Sequence, residues 1–222
     1  YLYRKTGIKK LCLAGGVALN CAANQKIMNL DFIDEFYVQP ASSDEGVAIG
    51  AAYLVGKKHG LKIYPMNSVY LGPEYTNDEI KKFLDVLNLD YNFEDDPSMY
   101  AAKKISNDKV VGWFQGRMEI GPRALGARSI LANPTNPSMR DIVNQKIKFR
   151  DTFRPFCPSV LEEESKKFFV GKQKIAPHMT INYDVIPSMI DKIPPEKLLT
   201  IPITDLLIMV YGKVLELSLI HI

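Results

Sequence analysis

Two α/β units in tandem are what the sequence predicts, and three observations carry the prediction. Between Lys9 and His59, two short apolar runs alternate with two stretches of helical period. That β–α–β–α order belongs to an α/β sheet rather than a helix bundle. A further apolar run, Val110–Phe114, follows two segments with helix-start signals and reads as the buried central strand of an αβαβ unit. Between the two, Gly60–Pro73 is polar and broken by Pro65, Gly72 and Pro73, the composition of a linker. The expected division is 1–62 and 74–222, joined through 63–73.

Taken in order, Lys9–Ala14 predicts a short strand that stops at Gly15-Gly16. A helix is expected over Ala18–Leu30, with Leu19, Ala22, Ala23, Ile27 and Leu30 as its apolar positions. Glu35–Gln39 predicts a second strand closed by Pro40, and Asp44–His59 a helix rich in small residues. Two glycines between strand and helix leave N–H groups free for an anion, although taken alone a plain tight turn explains them better. Asp44-Glu45 likewise fits an N-cap with first-turn charge. Thr76 and Glu79 have capping-box spacing for a helix to Leu89, and Asp96-Pro97 opens another to Ile105. Asn136-Pro137 reads as N-cap and first helical position of a helix over Ser138–Phe149.

The densest chemistry lies in Gly112–Pro155, which holds eight basic residues against three acids, Glu119, Asp141 and Asp151. Folding so many cations together costs self-repulsion unless an anion joins them, and arginine suits bidentate capture of phosphate or carboxylate. Arg140 and Lys146 fit the solvated side of a helix. Arg123, Arg128 and Arg154 instead sit among Gly, Pro and apolar residues, and point to a pocket for a phosphorylated ligand. Arg117 and Arg150 fit structural pairs with Glu119 or Asp151. Gly121-Pro122 and Gly126 supply loop backbone that can approach such a ligand closely.

The net charge of +3 is too small to argue for nucleic acid along the whole chain. The apolar run IPITDLLIMV is too short for a membrane span and contains Asp205. Cys12, Cys21 and Cys157 have no paired spacing, as expected of reduced thiols in a cytoplasmic protein; Cys12 and Cys21 read as core. The chain opens at Tyr1, both ends read as cut, and beyond about Tyr183 no coherent period remains.

GRMEIGPRALGARSILANP and MRDIVNQKIKFRDTFRPF resemble the carboxy-terminal domain of the O-carbamoyltransferase family, which includes nodulation-protein U and antibiotic carbamoyltransferases. The likeness extends over roughly Gly7–Pro177. GGVALNCAANQKI and PASSDEGVAIGAA resemble two strand-to-helix turns of the actin-like ATPase fold in that family's branch. The resemblance implies the carboxy-terminal part of an actin-like (ASKHA) domain followed by a YrdC-like twisted open α/β domain. It implies carbamoyl phosphate and ATP with Mg²⁺ as donors, and a small-molecule, sugar-like hydroxyl as acceptor. Arg123, Lys148 and Arg154 are then the donor contacts, with Arg128 and Ser129 as companions. Gly15, Gly16 and Asn20 bind nucleotide, and Asp44 is the ligand of a divalent metal, iron by family. The family's histidine ligands lie upstream; His59, His178 and His221 form no H-x-x-x-H pair. A homodimer is compatible with this reading, and a membrane role is not. Two other classes stand beside it: a nucleic-acid or tRNA-modification protein of YrdC-like type, and an actin-like kinase without carbamoyl chemistry. Arg123, Lys148 and Arg154 are expected to converge beside the end of the Val110–Phe114 strand.

Overall fold

Leu11 and Leu13 on one strand meet Phe36 and Val38 on the next, and this register builds the first core. The computed structural model describes residues 1–66, 68–159, 161–172 and 178–187. In it, β1 (Lys10–Leu13) and β2 (Glu35–Val38) run parallel, with Leu11 opposite Phe36 and Leu13 opposite Val38. Phe36 and Val38 are buried with Ala18, Met28 and Ile33, and Leu11, Leu13, Ile27 and Ile181 pack around them. Before β1, the exposed turn α1 (Leu2–Thr6) ends at Gly7 in the left-handed region.

The helix expected over Ala18–Leu30 is split. Residues Gly16–Leu19 form a 3₁₀ turn, and α2 (Cys21–Met28) starts afresh because Asn20 caps it, its Oδ1 accepting from Ala23 N–H at 3.0 Å. The split rotates the buried face onto Ala18, Asn24 and Met28. Asn24 is fully buried and donates to Ala18 O at 2.7 Å and Thr180 O at 2.8 Å, clipping the 178–184 segment onto α2. Cys12 is exposed and Cys21 half-buried, against the expectation of core thiols. The Cys12 side of β1 alternates away from Leu11 and Leu13, and so misses the core. The helix α3 (Glu45–Lys58) then leaves the carboxyl end of β2.

Compactness divides the chain into two units. The first comprises Tyr1–Leu71, Glu119–Leu125 and Gly171–Asp184; the second comprises Gly72–Met118, Gly126–Val170 and the described chain from Val185. The 119–125 loop joins the first unit through Ile120 N–H, which donates to Val69 O at 2.7 Å, and through a Tyr70–Glu119 bridge. Gly121 (φ 103°) packs so tightly there that a Cβ would lie 2.9 Å from Pro40 O.

In the second unit, α4 (Asn77–Val86) opens with the expected Thr76–Glu79 capping box but ends three residues short of Leu89, where Asn88 turns left-handed at φ 51°. Asp96 caps α5 (Pro97–Ser106), its Oδ1 accepting from Met99 N–H at 2.9 Å. The strand β3 (Val111–Phe114) is buried on one face only, through Val111 and Trp113, which join Ala101 in a core flanked by Ile105 and Leu131. It pairs antiparallel with β4 (Arg128–Leu131), so the order is α–α–β–β–α, not the expected αβαβ. The Gly-rich return loop supplies the hairpin's turn, a role its glycines do not announce by period.

The next helix also starts elsewhere than expected. Asn136 makes a turn, its Oδ1 accepting from Ser138 N–H at 2.9 Å, and Ser138 takes the N-cap position of α6 (Met139–Val143). A π turn, Asn144–Lys148, continues α6 and stops at Phe149, which is left-handed at φ 48° and ψ 52°. The tail after residue 187, including the Leu206–Val210 run, lies outside the described residues.

Candidate functional site

Two clefts collect the residues that matter, one in each unit. In the first unit, parallel β1 and β2 deliver their carboxyl ends to the same side, where ligands of open α/β sheets gather. A cleft of about 290 Å³ opens there, lined by Ala14, Gly15, Gly16, Ala41, Ser42, Ser43, Asp44, Gly46 and Val47. Its walls are tied by Gly15 N–H, which donates to Ser42 O at 2.7 Å, and by the Ser42 hydroxyl, which donates to Gln39 O. Gly15 (φ 96°, ψ 160°) sits where only glycine is at ease. Gly46 is obligatory for space, since a Cβ there would fall 1.9 Å from Ala41 O.

Asp44 occupies the N-cap position of α3 without capping it. Its carboxylate is exposed and has no hydrogen-bond or ion-pair partner among the described residues. Gly15, Gly16 and Asp44 therefore share one cleft, while Asn20 stands at the head of α2 with its oxygen committed to the cap. As a metal centre, Asp44 offers one hard oxygen. The described residues gather no group of three His, Cys, Asp or Glu around it or anywhere else.

The second cleft, about 570 Å³, lies against the end of the π turn and is lined by Gln145, Phe149, Arg150, Asp151, Thr152 and Arg154. Asn144, fully buried, organises it. Its Nδ2 donates to Thr152 O at 3.2 Å and Arg154 O at 2.9 Å, and its Oδ1 accepts from Arg150 Nε at 2.7 Å. Arg150 also stacks over Phe156 at 4.9 Å and does not pair with Asp151 as expected. Asp151 instead stands 4.0 Å from Arg154 Nε, a loose contact between exposed groups. Partial burial, and then the neighbouring Arg154 charge, push the Arg150 guanidinium below its ordinary pKa. Two guanidiniums thus share a cleft with a single carboxylate.

Of the other expected site residues, Lys148 is exposed on the π turn and does not line this cleft. Arg123 belongs to the first unit, where its Nη2 donates to Leu19 O at 3.4 Å and its buried Nε has no partner among the described residues. Arg128 is held by the second unit's own backbone, its Nη1 and Nη2 donating to Gln115 O, Ala127 O, Gly116 O and Pro73 O at 2.8–3.2 Å. Ser129 Oγ accepts from Gly126 N–H at 3.0 Å. Sequence reasoning passed over Asn144 as a member of the cleft and gave Arg150 only a structural pairing. The one signal available was the exposed-type pattern Lys-Phe-Arg-Asp at a helix end, where an aromatic has no core to fill.

Residues 1–53 match the family described as Carbamoyltransferase N-terminus, and residues 102–197 match Carbamoyltransferase C-terminus. The second match runs past Tyr183, where the sequence expectation had the regular pattern end. The nodulation protein NolO of Bradyrhizobium diazoefficiens is 43% identical over 173 residues, 75% of this chain and 31% of that protein. Nodulation protein U of Rhizobium tropici is 35% identical over 190 residues, 85% and 31% of the two chains. An uncharacterized protein of Synechocystis sp. is 42% identical over 206 residues, 88% and 33%. The chain spans about a third of the length of the curated relatives it matches.

Proposed function

The chain belongs to the carbamoyltransferase family, and from that premise we propose that it supplies the donor-handling part of an ATP-dependent O-carbamoyltransferase. In this reading the second unit is YrdC-like and the first is the end of an actin-like ATPase domain. Water hydrolyses carbamoyl phosphate to carbamate and inorganic phosphate. The carbamate oxygen attacks the α-phosphorus of ATP, forming carbamoyl-adenylate and releasing pyrophosphate. A hydroxyl of a small, sugar-like acceptor then takes the carbamoyl group and AMP leaves. The two carbamoyltransferase family matches support carbamoyl transfer.

The observation that carries the proposal is the pair Arg150 and Arg154 in one cleft with only Asp151 to offset them. Two guanidiniums, that of Arg150 fixed by Asn144, are matched to a phosphate whose water must be stripped away, and to the charge that grows as pyrophosphate departs. Lys148 remains a donor contact in the proposal, with Arg128 and Ser129 as companions in the same unit; Arg123, in the first unit, is assigned no contact in this cleft. Gly15 and Gly16 offer backbone N–H groups to nucleotide phosphates in the first cleft. Asp44 would hold a divalent metal there as one ligand, the others coming from outside the described residues; such a metal supplies Lewis acidity, and no step above is assigned to it. Mg²⁺ enters with ATP. No helix among the described residues is long and apolar enough to cross a membrane, and the reading places the reaction in the cytoplasm.

The test is carbamoyl-phosphate-dependent exchange of pyrophosphate into ATP. Arg154→Ala is expected to lose on the order of 2–5 kcal/mol of phosphate binding, hence nearly all exchange, while the fold survives. Normal exchange in that variant would overturn the assignment. One observation favours a second reading: Phe149 and Phe153 stand exposed beside Arg150 and Arg154, as in platforms for single-stranded RNA. Binding of an RNA oligonucleotide but neither ATP nor carbamoyl phosphate would favour it.

A further inference from the structure

We propose that Phe149 is the platform on which the base of ATP stacks, so that the Arg150–Arg154 cleft seats the nucleotide rather than free carbamoyl phosphate. This rests on the reading of that cleft as a carbamoyltransferase phosphate site. Three observations point the same way. The Phe149 ring is 83% exposed, so burial does not explain why a large apolar side chain stands there. The α6 face that does pack is Met139 and Val143, and Phe149 is not with them.

The backbone of Phe149 is left-handed, a region that glycine occupies freely and a bulky L-residue occupies only under compulsion. The compulsion is visible. Asn144 O accepts from the N–H of Phe149 and, at 3.1 Å, from that of Arg150, while the buried Asn144 side chain grips Arg150, Thr152 and Arg154. Strain held by surrounding structure is the pattern of a binding site rather than of a neutral turn. Finally, the ring lines the same cleft as the two guanidiniums. Inorganic phosphate or carbamoyl phosphate has nothing for an aromatic face to stack on, whereas a nucleotide has both a base and phosphates. An aromatic face accepts any base, so the platform would favour nucleotides over simple phosphates without choosing adenine.

The experiment titrates the whole chain, and its Phe149→Gly and Phe149→Trp variants, with ATP, carbamoyl phosphate and a single-stranded RNA oligonucleotide. Phe149→Gly removes the ring and the backbone strain together. It is expected to melt no lower than the parent, yet to bind ATP about tenfold to a hundredfold more weakly, the loss of one base–aromatic stack. Carbamoyl phosphate affinity should be unchanged, and Phe149→Trp should keep ATP affinity. Equal losses for ATP and carbamoyl phosphate, no loss for either, or a loss confined to RNA would each overturn the platform. If the parent chain binds neither ATP nor carbamoyl phosphate, the proposed function falls and the inference with it. If the parent binds both and Phe149→Gly matches it, only the platform falls.

Discussion

Arg128 stands directly opposite Phe114 across the β3–β4 ladder, and its guanidinium carbon lies 3.5 Å from the ring centroid. Four backbone carbonyls, from Pro73, Gln115, Gly116 and Ala127, receive its N–H groups. A planar fork suits this cage, and an ammonium does not. Arg128→Ala is therefore expected to destabilise the second unit by roughly 2–4 kcal/mol, since it leaves partly buried carbonyls unpaired and removes a cation–π contact. Arg128→Lys should recover little of that. Denaturant midpoints of the three proteins check it, and equal midpoints for Lys and Arg would contradict the cage. In the sequence, Arg128 is one cation among eight. What gives it this place is its register opposite Phe114, a long-range pairing that local residue types do not encode. Gly15 and Asp44 were easier to read, because each lies just past a short apolar run and parallel strands bring such ends together. Phe149 was hidden for the opposite reason: its role depends on a π turn, and π turns leave no periodic signature.

Among the elements, α4 offers the most local test. Thr76 and Glu79 exchange capping hydrogen bonds, with Thr76 N–H donating to Glu79 Oε2 at 2.8 Å. Those bonds hold the Glu79 carboxyl below its ordinary pKa of 4.5, the backbone N–H first and the Thr76 hydroxyl next. A folded pKa below the unfolded one means that the cap's contribution is complete above about 4.5 and fades as pH falls through the lower folded value. Protection of the amides at the start of α4, measured against their intrinsic exchange rates, should thus fall in that acid range and not between neutral and mildly acidic pH. Thr76→Ala should cost about 1 kcal/mol and flatten the response. The start of α3 is governed by space instead. Gly46→Ala would drive a methyl into Ala41 O, where a Cβ has only 1.9 Å, so the Ala41–Asp44 loop must move. A lower melting temperature with helix content retained is the expected result. The start of α4 was legible because capping is a four-residue affair. The break in α2 was not, since Asn20 competes with a helix that Ala18 and Leu19 could equally have begun.

At the scale of the whole molecule, each unit has its own small core, and α3 leaves an apolar surface open. Its sequence, EGVAIGAAYLVGKK, is hydrophobic nearly all round, yet Gly56 is its only buried residue, against Leu61 and Ile63. Val47 is 68% exposed and Leu54 57%. A helix of that composition normally lies inside a protein, and exposed apolar surface on this scale marks a place where another surface sits. The chain spans about a third of the length of its curated relatives, so part of their length has no counterpart here. By itself, then, the 222-residue chain should bind a hydrophobic dye and self-associate. The double change Val47→Glu and Leu54→Glu should suppress both, because it places charge on the open face. It should leave helix content and melting temperature nearly intact, since neither side chain contributes to the Ala18–Val38 core. Sedimentation and dye fluorescence on the two proteins decide the matter. A parent chain that is monomeric and dye-negative, or a double variant that unfolds, would mean that α3 already has its partner within this chain.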